Sequence, residues 1–211
     1  VVFLTSPQAS FVTGTVLNYQ PGGANDHAYT EIGTVTAIRN LGAATPIEPT
    51  SIAMPTDLAK YEGMLVRFTN ALVINEVGML GERGEMTLSS ARHEVPTNRY
   101  RPGPMAQALA AANLADQIIL DDNIFSTPQT VPYVAADKTV RAGDTVSGLV
   151  GVVDYGSIGN SNYAFKLQPT SVAGVAISRT NPRTTEPEVA AGNVRVASAN
   201  VLNFFTTFTN G

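Results

Sequence analysis

Residues 141–155 read Arg-Ala-Gly-Asp-Thr-Val-Ser-Gly-Leu-Val-Gly-Val-Val-Asp-Tyr. The run is β-branched and apolar, and glycines interrupt it at 143, 148 and 151. Such a pattern predicts one long strand that bends at its glycines. A bend of this kind lets a single strand serve two sheets. A weaker copy occurs near the start of the chain, where Val12-Thr-Gly-Thr-Val16 leads to Tyr19 as Val146-Ser-Gly-Leu-Val150 leads to Tyr155. Kinked strands ending in Tyr suit a sharply coiled Greek-key barrel of the OB type, a five-stranded architecture.

Working outward, the rest of the chain agrees with an all-β fold with one short helix, built as OB-like Greek-key barrels. Tyr163–Gln168 is the expected hairpin partner across the turn at 156–162. Phe11–Tyr19, Tyr29–Ile32 and Thr34–Arg39 read as early strands. Glu62–Phe68, Ala71–Ile74, Gly84–Ser89 and Gln117–Asp122 read as later ones, with Gly84–Ser89 alternating as a half-buried strand does. The segment 40–60 holds Pro46, Pro49 and Pro55 and reads as a connector without helix. Pro104–Asn113 is the clear helix: Pro suits its first turn, and alanine, its commonest residue, is the best helix former. Residues 172–192, rich in Thr, Pro, Ala and Glu, read as a linker. The expected division is therefore 1–58 as the end of a first OB-like unit with its connector, 60–171 as a second barrel with an inserted helix, 172–192 as linker, and 193–211 as the start of another domain.

Composition narrows the function. Charged residues make up 14% of the 211, against about a quarter in ordinary globular chains. The formal charge is −4, the isoelectric point is near 5.1 and the mean hydropathy is +0.05. Bulk positive charge therefore does not draw this chain to nucleic acid, and any phosphate contact is local or metal-assisted. No cysteine is present, which excludes disulfides and thiolate metal sites. No apolar run reaches membrane-spanning length, so no membrane partner is expected. Thr, Ser, Asn and Gly fill the polar positions, as in loop-rich secreted bacterial proteins.

Asn193–Asn210 reads Asn-Val-Arg-Val-Ala-Ser-Ala-Asn-Val-Leu-Asn-Phe-Phe-Thr-Thr-Phe-Thr-Asn. It resembles the opening strand of the endonuclease/exonuclease/phosphatase superfamily, as found in secreted nucleases of the ExeM/NucH type. Glu62–Phe68, Gly84–Ser90, Pro96–Asn98, Ile119–Asp122, Gly143-Asp144 with Gly151–Tyr155, Leu167–Pro169 and Asn181–Arg183 occur in the order expected of the region that precedes such a nuclease domain. Ala199 departs from the aromatic usual before that asparagine. The resemblance implies that Asn200 lies on the floor of an active site, near a divalent metal and the scissile phosphate, where an amide hydrogen-bonds without adding negative charge. Asn203 is read as structural. The metal-binding Glu, the Asp-x-Asn pair and the Asp-His pair of that superfamily are expected after Gly211. The chain itself is thus expected to be an inactive, secreted accessory region without a cofactor. Its parent nuclease would use Mg²⁺, Mn²⁺ or Ca²⁺, and its partners would be its own nuclease domain and, weakly, nucleic acid.

The remaining candidates come from the residues themselves. Arg92-His-Glu-Val-Pro-Thr-Asn-Arg99-Tyr-Arg101 is the most basic stretch, with Arg83 upstream. Arg83, Arg92, Arg99 and Arg101 interleaved with Tyr100 suit a backbone grip with a stacked base; a solvated loop is the plainer reading. Asp121 and Asp122 are oxygen donors of the kind Ca²⁺ or Mg²⁺ takes, but adjacent strand residues face opposite ways, so they read as loop caps. His27 and His93 stand in no zinc-binding spacing, and no base is identifiable for Ser89 or Ser90. Three functions stay open: nucleic-acid binding beside a nuclease, structural support of that domain, and binding of surface polysaccharide.

Overall fold

The structure, a computed structural model, describes residues 11–19, 29–39, 47–124, 126–159, 162–186, 189, 191–194 and 196–198. The fold is mostly β, with few helices. Strands β1 (Phe11–Tyr19) and β2 (Tyr29–Arg39) form an antiparallel two-stranded sheet of their own, with a register shift between Thr13 and Thr15. That irregularity falls at Gly14, where the sequence predicts a bend.

Nine strands make the second, curled sheet. They are β3 (Thr50–Ile52), β4 (Leu65–Phe68), β5 (Leu72–Glu76), β6 (Met86–Ser89), β7 (Ile118–Leu120), β8 (Thr145–Ser147), β9 (Val150–Gly159), β10 (Asn162–Pro169) and β11 (Ala176–Ser178). Their spatial order is β11-β8-β5-β6-β7-β10-β9-β4-β3. Pairing is antiparallel except for β3 with β4 and β7 with β10. Two sequence neighbours are split across this order. Only residues 69–71 separate β4 from β5, and only 148–149 separate β8 from β9. Yet β4 pairs with β9 while β5 pairs with β8. The sheet therefore curls so that its ends come round toward each other. Gly148, at φ +69°, supplies the bend between β8 and β9, a backbone region that side-chain-bearing residues enter only at a cost. The single strand expected over 141–155 is thus two strands joined at a glycine.

The core fills the inside of the curl. Leu72, Ile74, Leu88, Ile118, Val146 and Val153 are fully buried there, each on the inward phase of its strand. Burying one such side chain is worth roughly 1.5–3 kcal/mol. Ile52, Met54 and Leu58 enter the same core from the proline-rich segment. That segment, expected as an ordered connector without helix, contains β3 and a 3-10 turn, Leu58–Tyr61, and Asp57 caps the turn through Ala59 N–H at 3.3 Å.

Among the described residues, three α-helical segments stand where one was expected. Helix α1 (Leu80–Arg83) and helix α2 (Pro96–Arg99) are single turns, and α3 spans Pro104–Ala115. Helix α3 begins at Pro104 as expected but continues past Asn113, and Asp116 N–H closes it on Ala112 and Asn113 carbonyls. Single turns such as α1 leave little periodic signal, which is why the sequence did not reveal them.

The first part of the expected linker is also structured. β11 adds to the sheet edge beside β8, and a 3-10 turn, Val172–Gly174, precedes it. Beyond it, the fully buried Asp144 accepts from Asn181 N–H at 3.1 Å and from Arg141 N–H at 2.9 Å. Arg179 Nε lies 3.2 Å from Asp144 Oδ2, an ion-pair contact poorly angled for a hydrogen bond. Further on, Val194 and Val196 are exposed.

Candidate functional site

Two sites emerge on different parts of the molecule. The first is the basic loop between β6 and α3, and it is only partly free. Arg92 donates to the Asn75 carbonyl at 2.8 Å and to the Ile74 carbonyl at 3.4 Å, tying the loop to β5. Arg99 lies 3.7 Å from Glu94, with both side chains mostly exposed, and its guanidinium sits 5.6 Å from the Tyr100 ring centroid. Arg101 is exposed next to it. Arg99, Tyr100 and Arg101 therefore form one corner, with Arg92 anchored below it.

Arg83 lies elsewhere. Its Nε donates to Glu85 at 3.1 Å and its Nη2 to the Ser157 carbonyl at 3.1 Å, so it belongs to the second site.

At the base of the loop, Asp116 gathers Ser90 and His93. Ser90 Oγ donates to Asp116 Oδ2 at 2.7 Å and Ser90 N–H to Oδ1 at 3.1 Å, while His93 Nε2 lies 3.1 Å from the same Oδ2. The carboxylate stands between the hydroxyl and the imidazole. A hydrolytic triad needs the imidazole in the middle, taking the hydroxyl proton. This cluster therefore clips the loop to the end of α3 and does not activate a nucleophile. Asn75 completes the clip, accepting from His93 N–H at 2.7 Å and donating to Ser89 Oγ.

The second site was not legible as a site in the sequence. It is a cleft of about 360 Å³ between the 82–85 turn, the 121–127 loop and the β9–β10 hairpin. Lys166 forms its floor. Its ammonium lies 2.5 Å from Glu85 Oε1 and 2.7 Å from Asp121 Oδ2, all three side chains being less than a tenth exposed. Gln168 Nε2 donates to Asp121 Oδ2 at 3.2 Å. Because a carboxylate only accepts, this bond fixes the amide orientation. Gln168 Oε1 then stands buried with no donor among the described residues. Asp154 is paired with Lys166 across the β9–β10 ladder and lines the same cleft. Burial pushes its carboxyl above the usual range, against the opposing pull of a backbone hydrogen bond, Lys166 and Gln168. These groups share the sheet face opposite the core, because Val153 and Leu167, one residue away from Asp154 and Lys166, belong to the core.

Asp121 and Asp122 do cap the loop that follows them. Asp121 Oδ1 accepts from Asn123 N–H and Asp122 Oδ1 from Ile124 N–H, each at 2.9 Å. Asp122 packs on Gly84, where any Cβ would fall 2.3 Å from its carboxyl, so residue 84 must stay glycine for this carboxylate to keep its place. Burial raises the Asp122 carboxyl, with Asp121 and Glu85 adding to the effect. Tyr133 is buried nearby with no partner for its hydroxyl among the described residues, and burial beside these carboxylates raises its pKa strongly.

Among the described residues, no group of three or more His, Cys, Asp or Glu is placed to hold a metal ion. In the densest carboxylate cluster Lys166 supplies the positive charge that a divalent cation would bring. The described residues therefore do not fit the divalent metal implied for the parent nuclease. No helix among them is long and apolar enough to cross a membrane. Asn200, Asn203 and His27 lie outside the described residues.

Comparison with protein-family models, with curated proteins and with solved structures returns no match for this chain.

Proposed function

We propose that this chain is a non-catalytic, OB-type accessory region of a secreted metal-dependent nuclease, and that it touches nucleic acid weakly. The OB-type reading draws support from strand adjacency. If β4 with β5 and β8 with β9 each count as one bent strand, five strands remain besides the two edge strands β3 and β11. They adjoin in the order first, second, third, fifth, fourth and back to first, as in a Greek-key barrel of five strands. The nuclease context rests on the resemblance of 193–210 and of the ordered segments before it.

One observation carries the nucleic-acid reading: Arg99 lies over the Tyr100 ring, with exposed Arg101 beside it. An aromatic platform flanked by cations is what single-stranded nucleic acid uses, stacking a base and placing phosphates on the cations. The charge of −4 opposes binding elsewhere, so affinity is weak; it is stronger at low salt, because phosphate contacts release counterions. A mobility-shift assay at low salt with a single-stranded oligonucleotide tests this. The wild type is expected to shift it, and Arg99→Ala, Tyr100→Ala and Arg101→Ala combined to abolish the shift. No wild-type shift, or equal binding by the triple variant, would overturn the reading.

A second reading, structural support of the nuclease domain, is favoured by a different observation. Arg83 and Arg92 spend their donors on Glu85 and on main-chain carbonyls, which leaves few cations for phosphate.

A further inference from the structure

We propose that the cleft floored by Lys166 is a binding site for a sugar residue of a neutral carbohydrate. The site lies apart from the Arg99–Tyr100–Arg101 corner, and it stands or falls independently of the nucleic-acid reading.

The starting point is Gln168 Oε1. Gln168 lines the cleft and is 7% exposed, and among the described residues nothing donates to this oxygen. A buried acceptor without a donor costs about 1–3 kcal/mol. A ligand hydroxyl would satisfy it. Asp154 lines the same cleft as a second acceptor, while Lys166, with two of its three donors engaged by Glu85 and Asp121, brings a donor to it. A wall that mixes donors and acceptors suits groups that both donate and accept, and hydroxyls are such groups.

Charge excludes the main alternatives. Four carboxylates, Glu82, Glu85, Asp121 and Asp154, line the cleft against two cations, Arg83 and Lys166. Both cations are already paired, Arg83 with Glu85 and Lys166 with Glu85 and Asp121. A phosphate would meet net repulsion. A metal ion or an organic ammonium would meet the Lys166 ammonium at the floor. A neutral polyol meets neither obstacle.

Shape points the same way. Gly156 and Ala164 face each other across the β9–β10 ladder and leave the strand surface low next to Lys166. A Cβ at residue 156 would lie 3.7 Å from Lys166 Cε and 3.9 Å from Asp154 Oδ2, which is ordinary contact. A side chain therefore fits there, and it would occupy the space beside the two polar groups. At about 360 Å³ the cleft is at the small end of ligand pockets, roughly 300–1,000 Å³. The exposed Ser126 and Thr127 at its rim leave room for a chain of sugars to continue.

The test is a nitrogen-15 NMR titration of the full chain with maltotriose, cellotriose and N-acetylchitotriose, with inorganic phosphate and spermidine as counter-probes. At least one saccharide is expected to shift the Gln168 side-chain amide and the Gly156 and Ser157 main-chain amides saturably. Gly156→Val is expected to weaken that binding at least about tenfold, on the scale of one lost buried hydrogen bond. Gly156→Ala, a smaller change, serves if the valine variant loses its dispersed spectrum, and a weaker drop is expected from it. Absence of saturable shifts with every saccharide would overturn the proposal. So would unchanged binding by the folded glycine variant, or shifts at these amides only with phosphate or spermidine. The oligonucleotide assay reads other residues, so failure of one proposal is separable from failure of the other.

Discussion

The Lys166 ammonium lies 2.7 Å from Asp121 Oδ2, with both side chains less than a tenth exposed, on the sheet face away from the core. Glu85 Oε1 completes the contact at 2.5 Å. A charge buried this deeply is held by its partners, and removing one partner strands the others.

Lys166→Met is therefore expected to destabilise the chain by about 3–5 kcal/mol, because Glu85 and Asp121 would stay buried without their cation. Chemical denaturation measures it as a fall in midpoint. Adding Glu85→Gln and Asp121→Asn to the same chain is expected to restore part of the loss, since no uncompensated charge then remains. A single variant as stable as wild type would mean that the cluster is open to water.

Asp154 links stability to pH. Its folded pKa is raised, chiefly by burial, so the ionised form is the one the folded state disfavours. The folded chain takes up this proton at a higher pH than the unfolded chain does. The penalty is fully present above the folded pKa and is relieved as pH falls through it toward the unfolded value. Asp154→Asn is expected to raise the melting temperature at neutral pH, with the gain shrinking on acidification toward pH ~4, the ordinary range of the group. A gain that grows as pH falls would contradict this sign.

Asp144 ties the 179–181 segment to the sheet through Asn181 N–H and Arg179. Asp144→Ala is expected to cost about 1–3 kcal/mol, the range for stranding buried donors. It is also expected to speed tryptic cleavage after Arg179. Mass spectrometry of timed digests checks this, and unchanged cleavage at Arg179 would show that β11 holds the segment unaided.

Ser90 is expected to be chemically inert. Its hydroxyl donates to Asp116, and the imidazole of His93 lies on the far side of that carboxylate. A fluorophosphonate probe should leave Ser90 unlabelled, as read by peptide mass mapping. Asp116→Ala should instead lower stability, by about 1–3 kcal/mol.

On the proposed reading of a non-catalytic accessory region, the chain is expected to leave supercoiled plasmid intact with Mg²⁺, Mn²⁺ or Ca²⁺. Nicking that copurifies with the chain and vanishes on a point substitution within it would refute this.

The sequence by itself determined the strand content, the bends and the start of the long helix. These are local properties. Gly148 bends the chain because of its own backbone freedom, Pro104 opens a helix through its fixed φ, and Asp121 and Asp122 cap a loop two residues on. Single turns such as Leu80–Arg83, and short edge strands such as Thr50–Ile52 and Ala176–Ser178, were lost between proline, glycine and polar residues. A three-residue strand exists only because a neighbour pairs with it. The polar cleft was decided by tertiary structure alone. Opposite charges at Asp154 and Lys166 were visible in two strands of an expected hairpin, but only the register makes them partners. Glu85 and Asp121 lie 81 and 45 residues from Lys166. The parallel pairing of β7 with β10 and the turn before β6 bring all three together. Distance along the chain carries no trace of that meeting, because the apolar core that draws the strands together lies on the opposite face of the sheet.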